Sequence, residues 1–254
     1  MSETIRTGKV VHIGDQIDGG ARNAANPAFF GRVEYDGSEI DVILKIEPSH
    51  RLAKELIATS LASRVGIQHA PGLIGVIDLA DISRLNDAQP MKNCVGHLCF
   101  ASEIRPGSAS KPKCANLLNG PFALDLLVFD QLIANFDRVY DNILEHAGDY
   151  WAFDHDKILF CDGPYWSGLP VSSTVLDLVG MDTALCQSNN ISCAKAIADS
   201  FGTKILSAPL NFLTQIAKMG LFSASDATAL SAHLEARATA LPSIVETFFK
   251  ENEA

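Results

Sequence analysis

The segments FDQLIANFDRVYDNIL, at residues 129–144, and WAFDH, at residues 151–155, carry most of the information in this chain. An apolar helical run ends here in a polar loop that carries Asp137 and, five residues later, Asn142. A short apolar strand follows, and a second one leads directly to Asp154. Strand ends hold side chains rigidly, and oxygen ligands of this kind suit magnesium beside a phosphate. The pattern therefore indicates a phosphate-and-metal site, with an ordinary polar loop between two hydrophobic segments as the alternative.

A lysine and a glutamate upstream fit the same chemistry. Lys45 ends the apolar run VILK, at residues 42–45, where its charge has to reach water or an anionic partner. Glu55 follows ten residues later, early in a helix predicted over residues 51–65. A strand lysine paired with a helix glutamate orients the phosphates of ATP in kinases. Glu55 alone is equally compatible with a solvated helix position, so the argument depends on the whole ordered set: Lys45, Glu55, Asp137, Asn142 and Asp154.

The motif N-x-D-R-x-x-x-N-[IL]-L, followed by a strand that ends in Asp-His, resembles the HipA-like kinases and, more distantly, the phosphatidylinositol kinases. The resemblance covers residues 10–160 and implies one domain with a two-lobed, protein-kinase-like α+β fold. Its strand-rich N-lobe would span residues 1–104, and its helical C-lobe residues 105–254. The resemblance also implies a role for each residue of the set. Lys45 would bind the ATP phosphates and Glu55 would hold Lys45. Asp137 would orient and deprotonate an acceptor hydroxyl, while Asn142 and Asp154 would hold Mg²⁺.

The N-terminal third fits a nucleotide-covering sheet. A strand is predicted over residues 9–13, and a hairpin over residues 29–35 and 40–46, because the Asp-Gly pair between its arms is a hairpin turn signal. The loop before the hairpin contains Gly19 and Gly20, which allow backbone N–H groups to approach phosphate oxygens, although such a pair is also common in simple turns. The resemblance places the backbone that pairs with adenine near Glu103 and Ile104.

The remaining elements follow from apolar patterning. Strands are predicted over residues 73–79 and 95–102, and helices over residues 121–134, 173–180, 191–201, 210–219 and 226–250. Ser225 is the predicted N-cap of the last helix. A strand-rich front half and a helix-rich back half suggest an α+β arrangement with a cleft between them.

Composition narrows the class of protein. The net charge of −10 argues against binding to nucleic acid. No apolar run reaches the roughly 20 residues that cross a bilayer, and the N-terminus lacks the apolar segment of a signal peptide, so we expect a cytoplasmic protein that does not act at membranes. Six scattered cysteines, without a metal-binding spacing, indicate reduced thiols rather than a zinc site.

The sequence thus predicts an ATP- and Mg²⁺-dependent kinase whose acceptor is a hydroxyl, with protein Ser/Thr favoured. The alternatives are a catalytically silent kinase-like module for nucleotide binding or interaction, a lipid or small-molecule kinase, and an AMP transferase on the same fold. Two features depart from protein kinases: His-Asp follows Asp154 instead of Phe-Gly, and the glycine loop lacks G-x-G-x-x-G. Residues 14–31 contain no Ser, Thr or Tyr. Control is therefore expected from a regulatory protein partner, substrate supply or expression rather than from phosphorylation of this loop.

Overall fold

A closed barrel of five strands forms the N-terminal part of the computed structural model, which describes residues 4–17, 28–78, 80–81, 97–107, 116–159, 166, 168–175 and 188–252. Its strands neighbour one another in the order β1–β2–β3–β5–β4, and a parallel β1–β4 pairing closes the barrel, whereas the other pairings are antiparallel. The strands are β1 (Thr7–Gln16), β2 (Ala28–Tyr35), β3 (Ser38–Lys45), β4 (Gly72–Val76) and β5 (Leu98–Glu103).

The β2–β3 hairpin has the turn that its sequence favours. Asp36 and Gly37 adopt φ angles of 51° and 73°, and two successive left-handed residues are what a two-residue hairpin turn requires. Along β2, Phe29 and Val33 point into the barrel while Phe30 points out. Because strand side chains alternate, the outward faces of β2 and β3 remain available to line a cleft.

Five α-helices, a second hairpin and two three-residue 3₁₀ helices are the other regular elements that the structure assigns bounds to. The helices are α1 (Ser49–Val65), α2 (Pro121–Ile133), α3 (Ser188–Leu206), α4 (Asn211–Lys218) and α5 (Ala224–Glu251), and the hairpin strands are β6 (Ile143–His146) and β7 (Asp149–Ala152). Helix α2 begins with Pro121, which is preorganised for a first helical position, and most of its thirteen residues are buried. It packs against α3 and α5 in the larger hydrophobic core. The polar loop at residues 134–142 follows directly after its last residue.

The mixed strand-and-helix class is confirmed, and three local predictions need correction. The strand predicted over residues 73–79 ends at Val76. In the helix predicted over residues 173–180, residues 173–175 are not helical and the rest lie outside the described residues. The N-cap of α5 is Ser223, not Ser225, because Ser223 and Asp226 form a capping box in which each side chain accepts a hydrogen bond from the other residue's backbone N–H.

Two further properties concern the described part of the chain. No helix in it combines the length and the apolar character needed to cross a membrane. Cys99 and Cys193 are free thiols, as expected of reduced cysteines, and the other four cysteines lie outside the described residues. The division into lobes within one domain stays a prediction.

Candidate active site

A cleft of about 650 Å³ lies between the barrel and the segment at residues 141–155. Its lining includes a cluster of charged side chains around Lys45, which we call the charged end, several apolar side chains, and the chain that leaves β5. A larger hollow of about 760 Å³ beside Lys9, Tyr35 and His97 contains none of the predicted site residues, so we place the site in the smaller cleft. The residues lining it are Ile17, Ala28, Ile43, Lys45, Glu55, Thr59, Ala70, Phe100, Ser102, Glu103, Ile104, Arg105, Asp141, Leu144, Phe153, Asp154 and His155.

The charged end brings together three of the predicted residues from three elements. Lys45, the last residue of β3, donates hydrogen bonds from its ammonium group to Glu55 Oε1 on α1 and to Asp154 Oδ1 after β7. The other carboxylate oxygen of Glu55 accepts a hydrogen bond of 3.0 Å from the backbone N–H of His155. The Glu55 side chain is 1% exposed, whereas that of Asp154 is 37% exposed. Glu55 is thus fully engaged inside the protein, while Asp154 presents part of its carboxylate to the cleft.

Burial and mutual attraction set the pKa values of this cluster. Burial alone lowers the pKa of Lys45, but the carboxylates of Asp154, Glu55 and Glu47 outweigh it and raise that pKa well above its ordinary value. Burial raises the pKa of Asp154, yet the Lys45 ammonium more than offsets this and leaves that pKa below its ordinary value. For Glu55 burial prevails over Lys45, and its pKa is raised. The cluster therefore retains a charged lysine and an ionised Asp154 at neutral pH.

The loop after α2 carries Asp137 and Asn142 and is held by its own side chains. Asp137 donates its backbone N–H to Asn135 Oδ1 at 3.2 Å, and Asn142 donates its side-chain Nδ2–H to the Asp137 carbonyl at 3.1 Å. The Asn142 carbonyl in turn accepts a bond of 3.2 Å from the N–H of Phe153, the residue before Asp154. Asn142 is therefore placed beside the strand end that supplies Asp154, although Asp137 and Asn142 do not themselves line the cleft.

Arg138 is buried beneath this loop and supports it. Its Nε and Nη2 atoms donate to both carboxylate oxygens of Asp130 at 2.9 and 3.0 Å. Its Nη1 donates to the carbonyls of Asn142 and Phe153, each at 3.1 Å. One guanidinium thus joins α2 to the residues on either side of the following hairpin, Asn142 before β6 and Phe153 after β7, and holds their two carbonyls close together.

The predicted adenine-facing residues lie in the cleft, but their N–H groups are already used. Glu103 donates its N–H to the Pro71 carbonyl at 2.8 Å, and Ile104 donates its N–H to the Asp41 carbonyl at 3.1 Å. Their carbonyl oxygens and the N–H of the next residue, Arg105, are the backbone groups to consider for a nucleobase. Gly19 and Gly20 lie outside the described residues.

Sequence reasoning missed the acidic residue nearest to Lys45 in the chain. Glu47 is 3% exposed, and its Oε2 atom has no hydrogen-bond partner within the described chain. Burial, reinforced by Glu55, raises the pKa of Glu47 to about 8 even though Lys45 opposes the shift. The available signal was a glutamate two residues beyond the strand lysine, directly before Pro48, the N-cap of α1.

The two residues after Asp154, His155 and Asp156, also make contacts that the sequence analysis does not predict. His155 is buried with its ring edge-on to Phe129, at 6.2 Å between ring centroids, and burial holds its pKa well below the ordinary value. It packs against the Phe129 ring, and its backbone N–H donates a hydrogen bond to Glu55. Asp156 accepts from Arg51 of α1 at 3.0 Å, a contact that no sequence pattern indicated.

The donor atoms of Asn142 and Asp154 fit magnesium that is shared with a phosphate. Among the described residues, no group of three or more His, Cys, Asp or Glu side chains could hold a metal ion by itself. Magnesium is usually held by one or two protein carboxylates, with phosphate and water oxygens completing its shell. The partly exposed carboxylate of Asp154 suits that arrangement. The Oδ1 atom of Asn142 also suits it, because its Nδ2 is occupied by Asp137.

Comparison with known proteins gives a likeness of fold. No protein-family model and no curated protein sequence matches the chain. Among solved structures, it is similar to that of CtkA, a proinflammatory kinase of Helicobacter pylori, with a TM-score of 0.53 and 14% sequence identity. The alignment covers 98% of each chain. At this identity the comparison concerns architecture, so the chain shares a mixed strand-and-helix fold with this kinase over almost its whole length.

Proposed function

We propose that the protein is a two-lobed, HipA-like kinase that uses Mg·ATP to phosphorylate a hydroxyl group, with protein Ser/Thr as the favoured acceptor. The observation that carries this proposal is the contact of Lys45 with both Glu55 and Asp154 at one end of a cleft. The sequence predicts phosphate and metal binding by these residues, and they come from three separate parts of the fold. The fold likeness to a kinase supports the same function.

The cleft offers a place for each part of the nucleotide. Ala28 and Ile43 lie on the barrel side and Leu144 on the opposite side, which suits a flat base. The carbonyl of Glu103 and the N–H of Arg105 are the proposed partners of the adenine edge, since the N–H groups of Glu103 and Ile104 are bound elsewhere. The triphosphate then points toward Lys45.

Phosphoryl transfer in this site needs positioning and charge neutralisation more than covalent participation. Lys45 balances phosphate charge, and Glu55 keeps its ammonium group in place. Asp137 orients the acceptor hydroxyl and takes its proton while the acceptor oxygen forms a bond to the γ-phosphorus. The bond from that phosphorus to the bridging β–γ oxygen breaks, and ADP leaves with the electron pair.

Asn142 and Asp154 are the proposed magnesium ligands. When bound, Mg²⁺ would neutralise phosphate charge and orient the γ-phosphate. The present contact between Lys45 and Asp154 has to loosen for this, because both groups would then turn toward the phosphates. Arg138 holds the backbone carbonyls of Asn142 and Phe153, the residue before Asp154, in place during that change.

The test is isothermal calorimetry of ATP with and without Mg²⁺, followed by mass spectrometry of a lysate incubated with the protein and labelled ATP. We expect Mg²⁺ to tighten ATP binding in the wild type. Asp154→Asn should weaken Mg·ATP binding, whereas Asp137→Asn should preserve binding and reduce turnover by on the order of 10²- to 10⁴-fold.

Each outcome of this test has a distinct meaning. The absence of any ATP binding would refute the kinase proposal. Binding without transfer to any acceptor would indicate a silent nucleotide-binding module. Attachment of AMP, recognised by the mass of the added group, would indicate nucleotide transfer. Equal losses of binding in Asp137→Asn and Asp154→Asn would show that the two roles are wrongly divided.

A further inference from the structure

A short segment before β1, residues 4–6, connects the barrel to the helical part of the molecule. The backbone N–H of Ile5 donates to Gln215 Oε1 on α4 at 2.8 Å, and the Ile5 side chain packs against the larger, helical core. The next carbonyl, that of Arg6, accepts from the N–H of Ile74 on β4 at 2.9 Å. We call residues 4–6 the strap, because Ile5 binds the helical part of the fold and Arg6 binds the barrel.

The side chain of Arg6 extends from the strap to the chain that leaves β5. Its Nη1 lies 2.5 Å from Glu103 Oε1, and its guanidinium stacks over the Tyr35 ring at 4.5 Å from the centroid. The other carboxylate oxygen of Glu103 accepts from Arg105 at 3.2 Å. Glu103 is therefore held by an arginine on either side, and both Glu103 and Arg105 line the cleft.

The backbone of this chain has little room to move toward the hairpin of β6 and β7. Gly107 has a φ of 137°, and a Cβ atom at this position would lie 2.7 Å from the Glu145 carbonyl oxygen. Only glycine allows this approach. With Gly107 packed closely on one side and Glu103 paired to Arg6 on the other, the Arg6–Glu103 contact contributes to the position of residues 103–105.

We propose that Arg6 is a positioning residue for the nucleobase end of the cleft. By holding Glu103, it fixes the carbonyl and N–H groups that face the base, and the strap links that position to α4. This inference rests on the proposed function. The Arg6–Glu103 pair is partly exposed, so its removal affects stability only modestly and leaves a folded protein for measurement.

The test compares two ligands that differ in the nucleobase and ribose, ATP and inorganic tripolyphosphate, each with Mg²⁺ and measured by calorimetry. In Arg6→Met we expect affinity for ATP to fall roughly tenfold, a typical coupling between one contact and a bound ligand. Affinity for tripolyphosphate should stay within about twofold, because that ligand would occupy only the Lys45 end of the cleft. Arg6→Lys should recover part of the ATP affinity, since it restores the charge without the planar fork.

A matched control and a double-mutant cycle complete the design. Arg32 on β2 also pairs with carboxylates, those of Glu39 and Asp41, but it lies outside the cleft. Arg32→Met should leave the affinities for both ligands unchanged. Arg6→Met and Glu103→Gln should be non-additive for ATP binding, because each removes the same contact.

Three outcomes would overturn the inference. Unchanged ATP affinity in Arg6→Met would show that the strap does not position the base site, although the kinase proposal would stand. Equal losses for ATP and tripolyphosphate would show a general structural effect. Failure of the wild type to bind ATP at all would refute the proposed function and this inference together.

Discussion

Two clusters of charged side chains, one beneath the loop at residues 134–142 and one at the charged end of the cleft, are built differently. Under the loop, Arg138 and Asp130 form a one-to-one pair with two hydrogen bonds, and their side chains are 1% and 7% exposed. In the cleft, Lys45 is surrounded by the carboxylates of Glu55, Asp154 and Glu47, and Asp154 is partly open to solvent. The first cluster is balanced and closed, while the second has excess negative charge and an opening.

The difference separates support from binding. A buried pair whose charges balance offers no charged group to a ligand. It can still hold the backbone in place, as Arg138 does by donating to the carbonyls of Asn142 and Phe153. An unbalanced cluster beside a cleft can accept another cation, and perturbed carboxylates in such places are typical of functional sites. The following predictions test whether the two clusters behave in these different ways.

Breaking the closed pair should have the largest effect on stability. Arg138→Met leaves Asp130 buried without its cation, and removal of one partner of a buried ion pair typically lowers the free energy of unfolding by about 3–5 kcal/mol. Urea denaturation of the protein without ligand measures this loss. Because the cluster is closed, added Mg²⁺ should not restore the stability of this variant.

The companion variant identifies the source of that loss. Asp130→Asn combined with Arg138→Met removes both charges, so it should be more stable than Arg138→Met alone. If the double variant is as unstable as the sum of the single changes, the two side chains do not act as a pair and our description of the closed cluster is wrong.

Removing the lysine of the open cluster should have a smaller effect that a metal ion partly reverses. Lys45→Met leaves Glu55 and Asp154 close together without the ammonium group, at an expected loss of about 1–3 kcal/mol, because Asp154 can still be hydrated. Mg²⁺ in the millimolar range should then raise the melting temperature of Lys45→Met more than that of the wild type. An equal Mg²⁺ response in Lys45→Met and Arg138→Met would remove the distinction between an open and a closed cluster.

Because the open cluster has more carboxyl groups than cations, we expect the free energy of unfolding to depend on pH. Glu47 has a pKa of about 8 in the folded protein against an ordinary value of 4.5, so between these values the folded state keeps a proton that the unfolded state has lost. The free energy of unfolding should therefore fall as pH rises through this window, by at most about 1.4 kcal/mol per pH unit. Glu47→Gln resembles the protonated form, and its unfolding free energy should change less between pH 5 and pH 8.

Glu246 provides the opposite case as a control. Hydrogen bonds from Lys195 and Lys250 lower its pKa to about 2 on the protein surface. Its stabilisation is present above the ordinary pKa of 4.5 and is lost as pH falls toward 2. Glu246→Gln should thus lower the free energy of unfolding by a constant amount above pH 4.5 and change its pH dependence only in the acid limb. If Glu47→Gln also leaves the limb between pH 5 and pH 8 unchanged, Glu47 is not the group that titrates there.

Local sequence patterns predicted the strands, the helices and the charged end of the cleft. They did not predict the contacts that hold the cleft in place, such as that of Arg6. Lys45 and Glu55 meet because a strand end and an early helix position have fixed directions, which spacing along the chain conveys. The contact of Arg6 with Glu103 depends on how separate parts of the barrel pack, and no sequence periodicity records it. The burial of Glu47 likewise depends on packing across the whole fold, which no local sequence pattern records. The roles assigned to Asp137 and Asn142 stay predictions.

The smallest expected effect on stability concerns the N-cap of α5, which belongs to neither charged cluster. It measures what one exposed capping interaction contributes. Ser223 accepts from the Asp226 N–H at 3.1 Å, whereas Ser225 lies inside the first turn of α5. Ser223→Ala should lower the free energy of unfolding by about 1 kcal/mol, the usual value for a lost N-cap. Ser225→Ala should have a smaller effect, because it removes only a hydroxyl contact with Ser223 at 2.8 Å. Denaturation of both variants under identical conditions decides between the two serines. A larger loss in Ser225→Ala would restore the cap position that the sequence predicted, and with it a helix start two residues later.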